Sequence, residues 1–157
     1  MNILKLLETN AHLTVEQLAV MCDMPVEAVE AKIKEYEENG VILGYKTIVD
    51  WDKTEREYVS AMIELKVAPQ KDLGFERIAE RICVHPEVQS VHLMSGGYDL
   101  LVVIEGKTMR EVSNFVFNRL AMMDGIVSTA THFILKKYKD KGVIYKTDVE
   151  DKRGNIL

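Results

Sequence analysis

The sequence predicts an α+β chain of two modules, a three-helix unit followed by a β-α-β-β-α-β unit. Three observations predict it. Apolar residues recur at helical spacing as far as Asn39-Gly40. From Val59 onward the pattern becomes strand alternation, interrupted twice by helical stretches. The net charge of −5 lies wholly in the first 50 residues, which hold four basic and nine acidic side chains, while the rest holds sixteen of each. Such asymmetry points to separate modules.

A length of 157 residues suits one ordinary domain or two small ones. At 47% apolar and 29% charged residues, the composition is that of a soluble globular chain rather than a disordered one. No apolar run approaches the ~18–20 residues of a membrane span, so no membrane partner is expected. Lys5 and Glu8 interrupt the start too early for a secretory signal, and Cys22 and Cys83 fit a reducing cytoplasm better than a disulfide framework. On its face the acidic balance argues against a nucleic-acid partner.

In the first module, Ile3, Leu6 and Leu7 mark a short helix stopped near Asn10. Thr14-Val15-Glu16-Gln17 has the form of a capping box, with Leu13 and Leu18 placed as a hydrophobic staple. Val15, Leu18, Ala19 and Cys22 form the buried face of that second helix. Pro25 ends it and suits the first turn of a third, whose inner face is Val26, Val29, Ile33 and Tyr36 and whose C′ residue is Gly40. Three short helices, the last two joined tightly, describe a helix-turn-helix over residues 1–40. The same shape also serves protein docking. Glu27 and Glu30 stand in the half of the third helix that would face phosphates, and only Lys32 and Lys34 are basic there, so one copy should bind DNA weakly. Thr14, at a helix N-terminus, could hold a phosphate through backbone amides.

Residues 41–57 are expected to connect the modules through an extended strand, Val41 to Val49, and a polar stretch. In the second module, residues 58–137, Val59 to Val67 alternate as a half-buried strand. Phe75, Ile78, Ala79 and Ile82 give a helix ending before His85-Pro86. Val88 to Met94 and Leu100 to Ile104 are strands flanking Ser95-Gly96-Gly97. Thr108-Met109-Arg110-Glu111 caps a helix that buries Met109, Val112, Phe115, Val116 and Leu120, and Ile126 to Leu135 is the last strand. This order is the ferredoxin-like arrangement. Its outer strands are the second and fourth, and the sheet face without helices is only partly polar, which favours a homodimer. Residues 138–157 read as a charged tail with one apolar patch, Val143-Ile144-Tyr145.

Catalytic and metal-binding signatures are absent: there is no Walker loop, C-x-x-C or H-E-x-x-H. His92 and His132 fall on opposite sheet edges, His12 and His85 stand at element ends, and Cys22 and Cys83 belong to apolar helix faces. No cofactor, no metal and no catalytic residue is expected. Gly96-Gly97-Tyr98-Asp99 is the most informative stretch. Its glycines permit close approach, its amides could hold a carboxylate, and Asp99 could answer an ammonium group, which together suit a free amino acid. A plain hairpin turn has the same spacing.

Four segments in this order carry a family resemblance: Leu13-Thr14-Val15-Glu16-Gln17-Leu18-Ala19, Glu37 to Tyr45, Ser95-Gly96-Gly97-Tyr98-Asp99-Leu100, and Asp124 to His132. Over about residues 1–138 the chain resembles the Lrp/AsnC, or feast/famine, transcription factors. The resemblance implies a winged-type helix-turn-helix, a connecting strand and a ligand-sensing domain, in dimers that commonly assemble into octamers, bind promoter DNA and respond to amino acids. It places DNA contacts at Val26, Glu27, Ala28, Glu30, Ala31 and Lys32, beside the Thr14 site read from the helix N-terminus above. It places the effector at Ser95, Gly96, Gly97, Tyr98 and Asp99, with Thr129 and Thr131 as neighbours. Family members usually carry serine, threonine and arginine where this chain has Pro25, Glu27, Ala28, Glu30 and Ala31. The expected function is therefore a cytoplasmic regulator that binds double-stranded DNA and a small-molecule effector as a multimer of dimers. Three other functions remain open at this point. One is a sensor whose helical module docks a protein, the second an enzyme resembling the siroheme decarboxylases, and the third DNA compaction without an effector.

Overall fold

Both modules form in the computed structural model, which describes residues 2–68 and 74–145. The chain divides into two units, one ending at Val49 and one beginning at Asp50.

The first unit has helices α1 (Ile3–Thr9), α2 (Val15–Cys22) and α3 (Val26–Glu38). Asn2 opens α1 by accepting from the Leu4 amide at 2.9 Å. The α2 capping box is complete: Thr14 Oγ1 accepts from the Gln17 amide and Gln17 Oε1 accepts from the Thr14 amide. Asp23 closes α2 in the left-handed region, and Pro25 is the N-cap of α3, one residue before the first-turn position expected of it. At the end of α3 Gly40 adopts φ +66, and the Gly40 and Val41 amides reach back to the Glu37 and Tyr36 carbonyls. That pair of bonds is a Schellman motif, which explains the glycine. Leu18 and Val29, both fully buried, join Ile3, Leu6, Leu7 and Ala19 in one core.

Val41 to Val49, expected as a strand, forms no ladder; the first unit has no other strand among its described residues. A β-branched run needs a paired neighbour to become a sheet. Val41, Leu43, Tyr45 and Ile48 consequently stay exposed, and the segment is tied to α3 by the Tyr45 hydroxyl donating to Glu37 at 2.9 Å.

The second unit is an antiparallel sheet of β1 (Val59–Val67), β2 (Val88–Leu93), β3 (Leu100–Gly106) and β4 (Ile126–Phe133), in the order β2-β3-β1-β4. Helices α4 (Glu76–Cys83) and α5 (Met109–Phe115) supply the layer that packs on it. Ala61, Ile63, Leu65 and Val67 point to the helices, as do Leu100, Val102 and Ile104, and meet Ile78, Ile82, Val112, Phe115 and Leu120. Thr108 caps α5 as expected, but Glu111 accepts from the Lys107 amide rather than from Thr108, so the box is only half formed. After Phe115 the helix widens into a π turn, Val116–Leu120, closed by the Ala121 amide on the Val116 carbonyl at 2.8 Å. The turn keeps Val116 and Leu120 inside and leaves Phe117 exposed.

Several side chains depart from expectation. Cys83 and Met109 are exposed, because each stands at a helix terminus where the apolar face no longer meets the sheet. Ser60, which shares a pleat with Met62 and Glu64, is buried. The last strand stops at Phe133. Val143 and Ile144 are not part of a tail but form a hairpin, β5 (Lys139–Asp140) with β6 (Val143–Ile144). The sheet face without helices carries Met62, Glu64, Lys66, Leu101, Val103, Ala130 and His132, with His132 Nε2 3.3 Å from Glu64 Oε1. His92 and His132 do lie on opposite edges.

Candidate functional site

The stretch from Met94 to Asp99 joins β2 to β3. Its base is closed by the Met94 amide donating to the Asp99 carbonyl at 2.8 Å. Asp99 is bound to β1 twice: its amide donates to the Leu65 carbonyl at 2.9 Å, and its Oδ2 accepts from the Val67 amide at 2.7 Å. The second bond lies just past the end of the β1–β3 ladder, whose last pair is Leu65–Leu100, so the Val67 amide has no strand partner on that side and takes the carboxylate instead. Half of the Asp99 carboxylate is thus spent on the fold. The aspartate is visible in the sequence, but the Val67 amide is not, because its need arises only from where β3 begins.

Above this anchor, Ser95, Gly96 and Gly97 are exposed, and Tyr98 and Asp99 are half-buried. Gly96 has φ +150, which a larger residue adopts only with strain. Gly97 has no such excuse. Its φ is not positive, and a Cβ there would meet nothing within 4 Å. Among the described residues nothing requires glycine at 97. Thr129 pairs with Leu65, which on its other side pairs with Leu100, so Thr129 lies at the same end of the sheet as the turn. Two strand spacings, about 10 Å, separate them. Thr131 is opposite Ile63, farther along. Both threonines are half-buried on the helix-facing pleat. Among the described residues the turn and the threonines therefore share an end of the sheet but stand on separate strands.

On α3 the proposed DNA-facing residues split. Val26 packs into the core, and Ala28 is half-buried. Glu27, Glu30 and Ala31 are exposed. Lys32 donates to Glu35 Oε2 at 2.7 Å, a contact that holds its ammonium above the usual lysine range, and Lys34 is 3.8 Å from Glu38. Both bases on this helix thus already have acidic neighbours. At the α2 N-terminus Glu16 occupies the place proposed for a phosphate. Its carboxylate is held below the ordinary range by its own backbone amide and by the Thr14 hydroxyl. An incoming phosphate must compete with it.

Comparison with known proteins decides the family. Residues 60–144 match the model of the Lrp/AsnC ligand binding domain, and residues 1–42 that of a winged helix-turn-helix DNA-binding domain. A Bacillus subtilis relative described as the uncharacterized HTH-type transcriptional regulator YugG is 46% identical over 152 residues, covering 96% of this chain and 92% of its own. The chain belongs to the Lrp/AsnC family. It is a DNA-binding, helix-turn-helix transcriptional regulator with an Lrp/AsnC ligand-binding domain.

Among solved structures, the Mycobacterium tuberculosis leucine response regulatory protein LrpA superposes with a TM-score of 0.75 at 17% identity, covering 88% of this chain and 92% of that one. The Neisseria meningitidis transcriptional regulator NMB0573, in complex with L-Met, gives 0.68 at 23% identity over 88% of each chain. At such identities the likeness is one of fold. For this Lrp/AsnC chain the α+β reading and the family are established, and both are carried by whole-chain matches rather than by any single motif. Among the described residues no helix is long and apolar enough to cross a membrane, and no group of three histidine, cysteine or acidic side chains is placed to hold a metal ion.

Proposed function

We propose that this Lrp/AsnC regulator responds to a free amino acid or a close chemical relative, and that it works in the cytoplasm as a multimer of dimers. The observation that carries the reading is the turn at Gly96-Gly97. Two exposed glycines face open space directly beside a carboxylate anchored to the sheet. Open backbone amides suit the carboxylate of a ligand, and the free oxygen of Asp99 suits its ammonium. Ser95 and Tyr98 flank the turn, while Thr129 and Thr131 supply hydroxyls at the neighbouring edge. In this reading a second dimer supplies a further wall of the site, and the effector thereby biases assembly.

The dimer itself uses the sheet face without helices, where Met62, Leu101 and Val103 offer apolar area and Glu64–His132 a polar contact. DNA is engaged by α3 through Glu27, Glu30, Ala31 and Lys32, with Thr14 at the start of α2; Val26 and Ala28 act as packing residues behind them. A weak module gains from multiplicity, since linked sites raise avidity by ~10²–10⁴ without new contacts.

The test is direct. Purified protein should shift its own promoter fragment in a salt-dependent way, and calorimetry against the twenty amino acids should find at least one that binds and alters the sedimentation profile. No shift at low salt with any genomic fragment overturns the DNA reading; no heat from any amino acid overturns the effector reading. Gly97→Ala gives a finer check. Its melting temperature should match the parent, because the new methyl meets nothing in the chain and such surface changes stay within about 0.5 kcal/mol. Its amino-acid affinity should fall, because the methyl occupies the approach to the turn.

A further inference from the structure

The described residues end in a hairpin arm whose charge is opposite to that of the helix-turn-helix unit. Residues 136–145 contain four lysines, two tyrosines and a single acid, Asp140. The arm leaves the sheet from an anchored base: Lys137 donates to the Tyr58 hydroxyl at 3.0 Å, and Tyr58 in turn donates to Glu105. Beyond that base Lys136 lies over the Tyr138 ring at 5.2 Å, and the Tyr145 amide donates to the Tyr138 carbonyl to start the hairpin. Lys136, Lys139 and Lys141 are exposed, as are Tyr138, Val143 and Ile144.

The tip is unusual. Lys141 and Gly142 form a two-residue loop with φ +45 and +84, the signature of a type I′ turn. That turn prefers asparagine or aspartate followed by glycine, and lysine reaches the left-handed region at a conformational cost. A lysine at a strained apex, on an arm that carries three more lysines ahead of it, is more than a solvated charge run.

We propose that this hairpin is a second, sequence-independent DNA contact, in which Lys136, Lys139 and Lys141 meet backbone phosphates. The inference rests on the DNA-binding reading above and adds to it. It accounts for a module whose recognition helix offers two lysines already beside acids, in a chain that nevertheless belongs to a DNA-binding family. Phosphate contacts dominate affinity without reading sequence, so they can reside on a different unit from the recognition helix.

The experiment measures binding of the full chain to a long random-sequence duplex across a salt series. The parent is compared with Lys141→Asn and with Lys139→Gln/Lys141→Asn. Asparagine suits the turn better than lysine, so Lys141→Asn should melt at the same temperature or higher. Its plot of log affinity against log salt should nevertheless flatten by about 0.9 for each lysine–phosphate contact removed, and the double variant should flatten by twice that. Lys139→Arg, which keeps the charge, should leave the slope unchanged. If the parent binds and both neutral variants keep its slope, the hairpin proposal is overturned and the DNA reading stands. If the parent fails to bind at low salt, both fall. A variant that loses slope together with melting temperature would mark the hairpin as structural and equally overturn the proposal.

Discussion

Replacing Glu27 and Glu30 together by arginine should increase non-specific DNA affinity and steepen its salt dependence. Both side chains are exposed on α3, four positions or fewer from its N-terminus, the half of a recognition helix that lies against the groove. In the parent they repel phosphates. Each arginine that meets a phosphate adds about 0.9 to the salt slope, so two add ~1.8 for every helix on DNA. A fourfold reduction in salt should then strengthen the variant by about twelvefold more than the parent. On a cognate promoter the outcome has a second part. A carboxylate can accept from the exocyclic amine of cytosine, a contact that reads a base while gripping poorly. If these glutamates face bases, the variant should gain on random DNA and lose its preference for the promoter. An unchanged salt slope on random DNA would show that this surface of α3 does not face the duplex at all.

How much of this was legible in the sequence differs by element. The capping box at Thr14, the glycine stop at Gly40, the strand alternation of β1 and the turn at Gly96-Gly97 are local events, each fixed by residues three or four apart. They came through because a helix cap or a strand face is decided within a turn or two of chain. Val41 to Val49 did not, because a strand is a relation between two segments, and no second segment in the first unit answers it. Cys83 and Met109 were misplaced for a related reason: helical spacing tells which side faces inward but not where the helix outruns the sheet. The hairpin at Lys139–Ile144 resembles a tail in sequence because charge and brevity hide a two-residue turn whose first position is lysine. The site is less legible than the fold. Asp99 offers a carboxylate for an ammonium, yet one of its oxygens is committed to the Val67 amide, a partner 32 residues away that lacks a ladder bond only because β3 begins at Leu100. Glu16, in turn, was passed over although it stands where a phosphate was expected.

Asp99 is therefore where fold and function can be separated by experiment. Asp99→Ala removes the acceptor for the Val67 amide, leaving a donor without a partner next to a side chain only 8% exposed. An unsatisfied group of that kind costs about 1–3 kcal/mol. For a protein of this size the melting temperature should fall by roughly 2–4 °C per kcal/mol. Asp99→Asn keeps a carbonyl oxygen that can accept from Val67, so most of the stability should return. What asparagine lacks is the negative charge, and a neutral acceptor holds an ammonium less strongly than a carboxylate does. Asp99→Asn should accordingly fold like the parent but bind its amino acid more weakly. The matching 2-oxo acid, which has no ammonium, should bind parent and Asp99→Asn alike. Equal loss of amino acid and oxo acid in Asp99→Asn would mean that Asp99 only shapes the turn. Unaltered amino-acid binding in Asp99→Ala would place the effector elsewhere, because that variant forfeits both the charge and one of the two bonds that tie the turn to β1.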